Sequence, residues 1–130
     1  MNLSEIKNYE DICKIDGVDP VQSLPFSDPK NADEIAVNSI SKVFRINRVL
    51  NEGWVPNWYN WDEYKYYPWF DMIPEGNKAG SGSGFSFRVC GCVRDGSDVG
   101  ARLVYKTREL AEFAGKTFLE EYRGFMVIEK

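Results

Sequence analysis

The stretch WVPNWYNWDEYKYYPWFDM (54–72) decides how this chain is read. It carries nine of the chain's nineteen aromatic residues: Trp54, Trp58, Tyr59, Trp61, Tyr64, Tyr66, Tyr67, Trp69 and Phe70. The first half contains Pro56-Asn57 and predicts a loop. From Tyr64 to Met72 the pattern predicts a strand, with Tyr64, Tyr66, Phe70 and Met72 on one face and Lys65, Tyr67, Trp69 and Asp71 on the other. Pro68 has no N–H for a ladder, which sends this strand to a sheet edge or a bulge.

PEGNKAGSGSG (74–84), which follows, predicts a flexible hairpin loop. A second strand follows over Phe85–Val93, with Phe85, Phe87, Val89 and Val93 on one face and Ser86, Arg88, Cys90 and Cys92 on the other. RDGSD (94–98) is a turn, Asp95-Gly96 being a hairpin signal. A third strand is expected over Ala101–Lys106, with Leu103 and Tyr105 inward and Arg102, Val104 and Lys106 outward. The last helix starts with Thr107 as cap, carries Leu110, Ala114, Phe118, Tyr122 and Phe125 along one side, and is expected to end near Gly124. Phe125–Ile128 then docks as a tail or adds a short strand.

On the N-terminal side, a long helix is expected from Asp28-Pro29 or Asp33 to about Asn51, with Ala36, Ile40, Val43, Phe44 and Leu50 at three- and four-residue steps. Lys42, Arg45 and Arg48 share a different face of it, and Gly53 is free to supply a left-handed end. Before it, Pro20, Pro25 and Pro29 mark an extended connector that Leu24 and Phe26 dock on the body. A short helix over residues 4–16, capped by Ser4 or Asn8 and stopped by Gly17, opens the chain. The expected architecture is one α+β domain over residues 1–130. Residues 1–27 form the short helix and Pro-rich docking segment; residues 28–130 form an α-β-β-β-α body. In it a three-stranded antiparallel meander packs with one long helix before it and one after it.

Composition narrows the chemistry. With 43% hydrophobic residues and a net charge of −4, the 130-residue chain has material for a core without a metal or disulfide staple. It has no histidine, which excludes Ser-His-Asp and Cys-His triads, His-bound zinc and imidazole acid–base chemistry. Cys13, Cys90 and Cys92 are too few for a zinc site and read as buried, unreactive thiols. No cofactor is expected. Asp62, Glu63, Asp71 and Glu75 sit near the aromatic cluster as a glycosidase's carboxylates do, but nothing in the sequence sets one apart from another. The Gly/Ser stretch lacks a P-loop pattern and opens a strand. The chain therefore reads as a non-enzymatic binding protein. The polar, acidic start and the lack of any long apolar run predict a cytoplasmic protein that does not enter membranes.

Two ligands compete for that binding role. Aromatic rings beside cations on a sheet bind single-stranded nucleic acid by stacking, and the outward positions Lys65, Tyr67, Trp69, Arg88, Arg102 and Lys106 form such a candidate site. The bland reading assigns the rings to the core, Trp54 and Phe118 above all, and the cations to a solvated face. Exposed Trp, Tyr and Arg equally anchor protein interfaces, which the net negative charge favours. The acidic first 35 residues, net −5, would mask the basic strip or imitate nucleic acid toward a host protein. A virion or assembly component is a third reading. Arg108, a cation at a helix start, opposes the helix dipole and is expected to find a carboxylate.

The strings NEGWVPNWYNWDEYKYYPWFDM, GSGFSFRV and VGARLVYKTRELAEFAGKTF, with the weaker YEDICKIDGVDP, resemble a family of small proteins encoded by phages and prophages of gut bacteria. The likeness covers roughly residues 9–20 and 36–126. It implies a phage-derived accessory protein made in a bacterial cytoplasm, acting on a host or phage protein or on nucleic acid. It carries no catalytic residue over to this chain.

Overall fold

Asn8, Asn31 and Thr107 each accept a hydrogen bond from a backbone N–H of the following turn and so start three of the helices. The computed structural model describes residues 1–72 and 84–128. Within them the order is α1 (Tyr9–Asp16), α2 (Ala32–Leu50), β1 (Lys65–Met72), β2 (Phe85–Val93), α3 (Arg108–Thr117) and α4 (Leu119–Met126), with 3-10 turns at Leu3–Glu5 and Ala101–Leu103. The fold is α+β, as expected, but the described residues contain a two-stranded antiparallel sheet and not a three-stranded meander. The Gly/Ser stretch expected as a hairpin loop, with Glu75, lies outside the described residues apart from Gly84.

The third strand shrinks to a single bridge for a local reason. Tyr66 and Tyr105 exchange both backbone hydrogen bonds, at 3.0 and 2.6 Å. The next antiparallel rung would pair Pro68 with Leu103, and Pro68 has no N–H to give. The Leu103 N–H turns to Gly100 O at 3.3 Å, and residues 101–103 coil into a 3-10 turn. On the opposite side, Val104 O accepts from the Asn47 and Asn51 side chains at 2.7 and 3.0 Å, while Asn51 Oδ1 accepts from Lys106 N at 3.0 Å. Two buried asparagines, Asn47 of α2 and Asn51 at its C-terminal cap, thus cover an edge that a strand would otherwise need to pair. Val104, expected outward, is buried.

A bulge reorders the faces of β2. Trp69 pairs with Val89 and Phe70 with Phe87, leaving Arg88 as the extra residue. One inserted residue reverses the alternation beyond it. Cys90 and Cys92 therefore share the face of Pro68 and Tyr66, which packs on the helices, and Val89 joins Trp69 on the opposite face. The expected side assignment of Val89, Val93, Cys90 and Cys92 is thus inverted. Of the thiols expected to be buried, Cys13 is, whereas Cys92 is exposed.

The helices pack through close contacts. At Gly115 of α3 an added Cβ would sit 2.6 Å from the Phe87 ring and 2.8 Å from Pro68, so glycine lets α3 lie directly on the sheet. Gly124 does not end the last helix; α4 runs on to Met126, and Gly124 is where it presses against Ser39 of α2. The single helix expected after Thr107 is instead bent at Phe118, whose ring is fully buried between α3 and α4. In the same core the Tyr105 and Tyr122 hydroxyls meet at 2.8 Å, and burial pushes both phenols up in pKa. The tail Phe125–Ile128 adds no strand.

The basic face of α2 holds the N-terminal segment. Arg45 Nε and Arg48 Nη2 both reach Asp16 Oδ2 at 2.8 Å, and Lys42 lies 5.4 Å from the centre of the Tyr9 ring. The connector is tied by Asn38, whose side chain accepts from Phe26 N at 3.0 Å and donates to Phe26 O at 2.8 Å. Arg48, then Arg45, lowers the Asp16 carboxyl from 3.8 to about 2. A depressed folded pKa stabilises above the unfolded value and is lost as pH falls through the folded one. Asp16→Asn is expected to cost about 1–2 kcal/mol at pH 7, after allowance for solvent screening. That difference from wild type should shrink as pH falls from about 4 toward 2. Urea titrations at both ends of that range check it; a difference independent of pH would remove the clamp from the stability of the fold.

Candidate binding surface

Lys65 opens β1 and is completely buried, because loop 54–63 closes over it. Its Nζ donates to the carbonyls of Asn57 (2.7 Å), Asn60 (3.2 Å), Glu63 (2.9 Å) and Arg94 (2.7 Å). The Trp58 ring centre lies 5.1 Å away and Glu63 Oε1 3.5 Å. Although burial acts the other way, the Asn57 N–H at 2.7 Å and the Lys65 charge hold the Glu63 carboxyl below its usual pKa. Lys65 is an internal tie for the aromatic loop and takes no part in an open face. Strand alternation places it on the outward face, and the loop above it closes that face.

The other candidate residues separate. The Tyr67 ring covers Gly91, where an added Cβ would fall 2.6 Å from it. Trp69 is 48% exposed, with its ring centre 6.3 Å from that of Tyr67. Arg88 is exposed at the bulge and reaches Asp71 at 3.6 Å. Arg102, carried off the sheet by the 3-10 turn, stands 5.9 Å over the Phe44 ring of α2. Lys106 extends beside Leu50, Glu52 and Trp54 at the end of α2. The structure therefore brings together Tyr67, Trp69 and Arg88 and disperses Lys65, Arg102 and Lys106. Trp54, expected in the core, is half-buried.

Two grooves flank the hairpin. One, of about 300 Å³, runs along β1 and is lined by Tyr67, Pro68, Trp69, Phe70, Met72, Val99, Met126 and the single acid Asp98. Met72 and Met126, which sequence reasoning passed over, are 50% and 36% exposed. Alternation had placed Met72 beside Phe70, but nothing in the sequence brings Met126 to the same place. The second groove, of about 440 Å³, lies between β2 and α3 and holds Arg88, Arg108 and Lys116 with Phe87, Val89, Cys90 and Glu112. Arg108 stands 5.1 Å over the Tyr66 ring, and among the described residues no carboxylate pairs with it. Its position at a helix start was the available signal.

Among the described residues no cluster of His, Cys, Asp or Glu has the make-up of a metal site, and no helix is long and apolar enough to cross a membrane. No family model, curated protein or solved structure matches the chain. The resemblance to phage-encoded proteins accordingly rests on its motif residues alone.

Proposed function

We propose that this chain is a non-enzymatic binding protein, a phage-encoded accessory factor by its resemblance, whose sheet engages another protein. The observation that carries this reading is the groove along β1: aromatic, methionine and valine side chains line it with one acid and no cation. Exposed Trp and Met side by side suit a protein surface, since the rigid ring anchors and the thioethers adapt to what packs on them. A nucleic-acid strand needs cations beside its stacking rings. Of the cations expected beside Tyr67 and Trp69, Lys65 is buried and Arg102 and Lys106 stand elsewhere, which leaves Arg88, already shared with Asp71, while Arg108 and Lys116 lie in the groove between β2 and α3.

A photo-crosslinking p-benzoylphenylalanine placed at exposed Met72 tests this. It is expected to join the chain to a discrete protein in a bacterial lysate, and adding Trp69→Ala should cut the yield by about tenfold or more, as loss of a central aromatic anchor does. In parallel, oligo-dT at micromolar concentration is expected to leave tryptophan fluorescence unchanged. Saturable quenching that weakens steeply with salt would replace this reading with single-stranded nucleic acid. Adducts indifferent to Trp69→Ala would remove the β1 groove as the site, and adducts between copies of the chain would favour an assembly component.

A further inference from the structure

We infer that the outer edge of β2, beside α3, receives an acidic segment of the partner as an added strand. This rests on the reading that the chain binds a protein, and it names the chemistry of what is bound.

The register leaves that edge open. Tyr66 spends its N–H and C=O on Tyr105, so the Tyr66–Cys92 pair exchanges no backbone bond across the hairpin. The Cys92 N–H and C=O therefore point away from β1. Two residues along, the Pro68–Cys90 pair has the same phase, and the Cys90 groups point outward too. Among the described residues no backbone group outside the hairpin bonds to either cysteine. An extended segment laid there gains main-chain hydrogen bonds, and the side chains around the edge set what it carries.

Those side chains are basic. Cys90 Sγ approaches Arg108 O at 3.6 Å at one end of α3, and Lys116 stands 5.5 Å over the Phe87 ring near the other, so α3 runs alongside β2. Arg108, Glu112 and Lys116 recur at four-residue steps and face the groove, with Arg88, which also reaches Asp71 at 3.6 Å, joining them from the bulge. Glu112 answers Lys116 at 2.7 Å, which leaves Arg108 without a carboxylate among the described residues. A second copy of β2 would bring the same three cations against these and be repelled. A strand bearing Asp or Glu four residues apart, about 14 Å along it, meets Arg108 and Lys116, which stand about 12 Å apart on α3 with Glu112 between them. A sugar–phosphate backbone would satisfy the charges but not the amide edge.

The test uses a fluorescein-labelled ten-residue peptide of alternating Val and Thr with Glu in place of every second Thr (the Val-Glu peptide), and two controls of equal length: the same sequence with Lys for Glu (the Val-Lys peptide), and the Val-Glu peptide N-methylated along one edge. Fluorescence anisotropy follows binding to the full chain, and hydrogen exchange of the Cys90 and Cys92 amides reports the edge. The Val-Glu peptide is expected to bind and protect both amides, while the Val-Lys and N-methylated peptides do not. Arg108→Gln, an exposed change, is expected to weaken binding about two- to fivefold. No binding of the Val-Glu peptide at millimolar concentration would overturn the inference. So would equal binding of the Val-Lys peptide, or binding without protection of the two amides, or protection of them by oligo-dT. None of these results touches the crosslinking at Met72, so the two readings fail separately.

Discussion

Lys65→Met is expected to lower the stability of this protein by about 3–5 kcal/mol, the cost of removing one partner of a buried charged network. Methionine fills nearly the same space, so the loss isolates the ammonium from the packing of its stem. Four carbonyls, from Asn57, Asn60, Glu63 and Arg94, converge on the Lys65 Nζ within 3.2 Å. Without it they are left facing one another, with Glu63 beside them. Urea unfolding followed by tryptophan fluorescence measures the loss, and Trp58, stacked over the ammonium, should shift its emission at once. A loss under about 1 kcal/mol would show that water replaces the ammonium, as it does at wet sites.

Phe118→Ala carries a loss of similar size, about 3–5 kcal/mol, for a different reason. Phe118 is fully buried at the bend between α3 and α4, its ring centre 6.2 Å from that of Phe113. Truncation leaves a cavity in the core that Phe118 shares with Tyr105 and Tyr122. Thermal melting should show the loss. The near-ultraviolet dichroism of the tyrosines should weaken below the melting transition, because α3 and α4 lose their shared anchor. A variant that melts like wild type would mean that the bend, not the ring, sets the packing of the last two helices.

These two residues mark where sequence reasoning reached and where it stopped. Phe118 was legible: an apolar residue in a four-residue ladder belongs inside, and it is inside. Lys65 was not. In an alternating strand a lysine reads as outward, and only the loop folded over it supplies the carbonyls that make its burial tolerable. Cys90, Cys92 and Val89 were misplaced for a related reason. Alternation is counted from one end, and an extra residue such as Arg88 changes the count only once the strands are paired. Arg102 and Lys106 were assigned to a sheet face that Pro68 prevents from forming. Pro68 marks an obstacle to a ladder in the sequence itself, but which neighbour it deprives depends on the segment that comes to lie beside it.

The candidate surface follows the same division. Trp69 and Arg88 stood out from the sequence and remain exposed in the structure. Met72 and Met126 meet only because α4 continues past Gly124, and Lys116 faces β2 only because Gly115 brings α3 down onto Phe87.

Although the break at Phe118 that divides the last helix in two does not follow from the sequence, the α+β class, the long helix α2, the helix start at Thr107 and the two strands of the hairpin do. Those features depend on contacts within a few residues: apolar periodicity, side-chain caps, and glycine in the left-handed region at Gly17 and Gly53. The tertiary structure alone decided the bulge, the burial of Lys65, the asparagine-covered edge at Val104 and the open edge of β2. Each of these turns on which backbone groups remain unpaired after distant segments have met, and no local pattern records that.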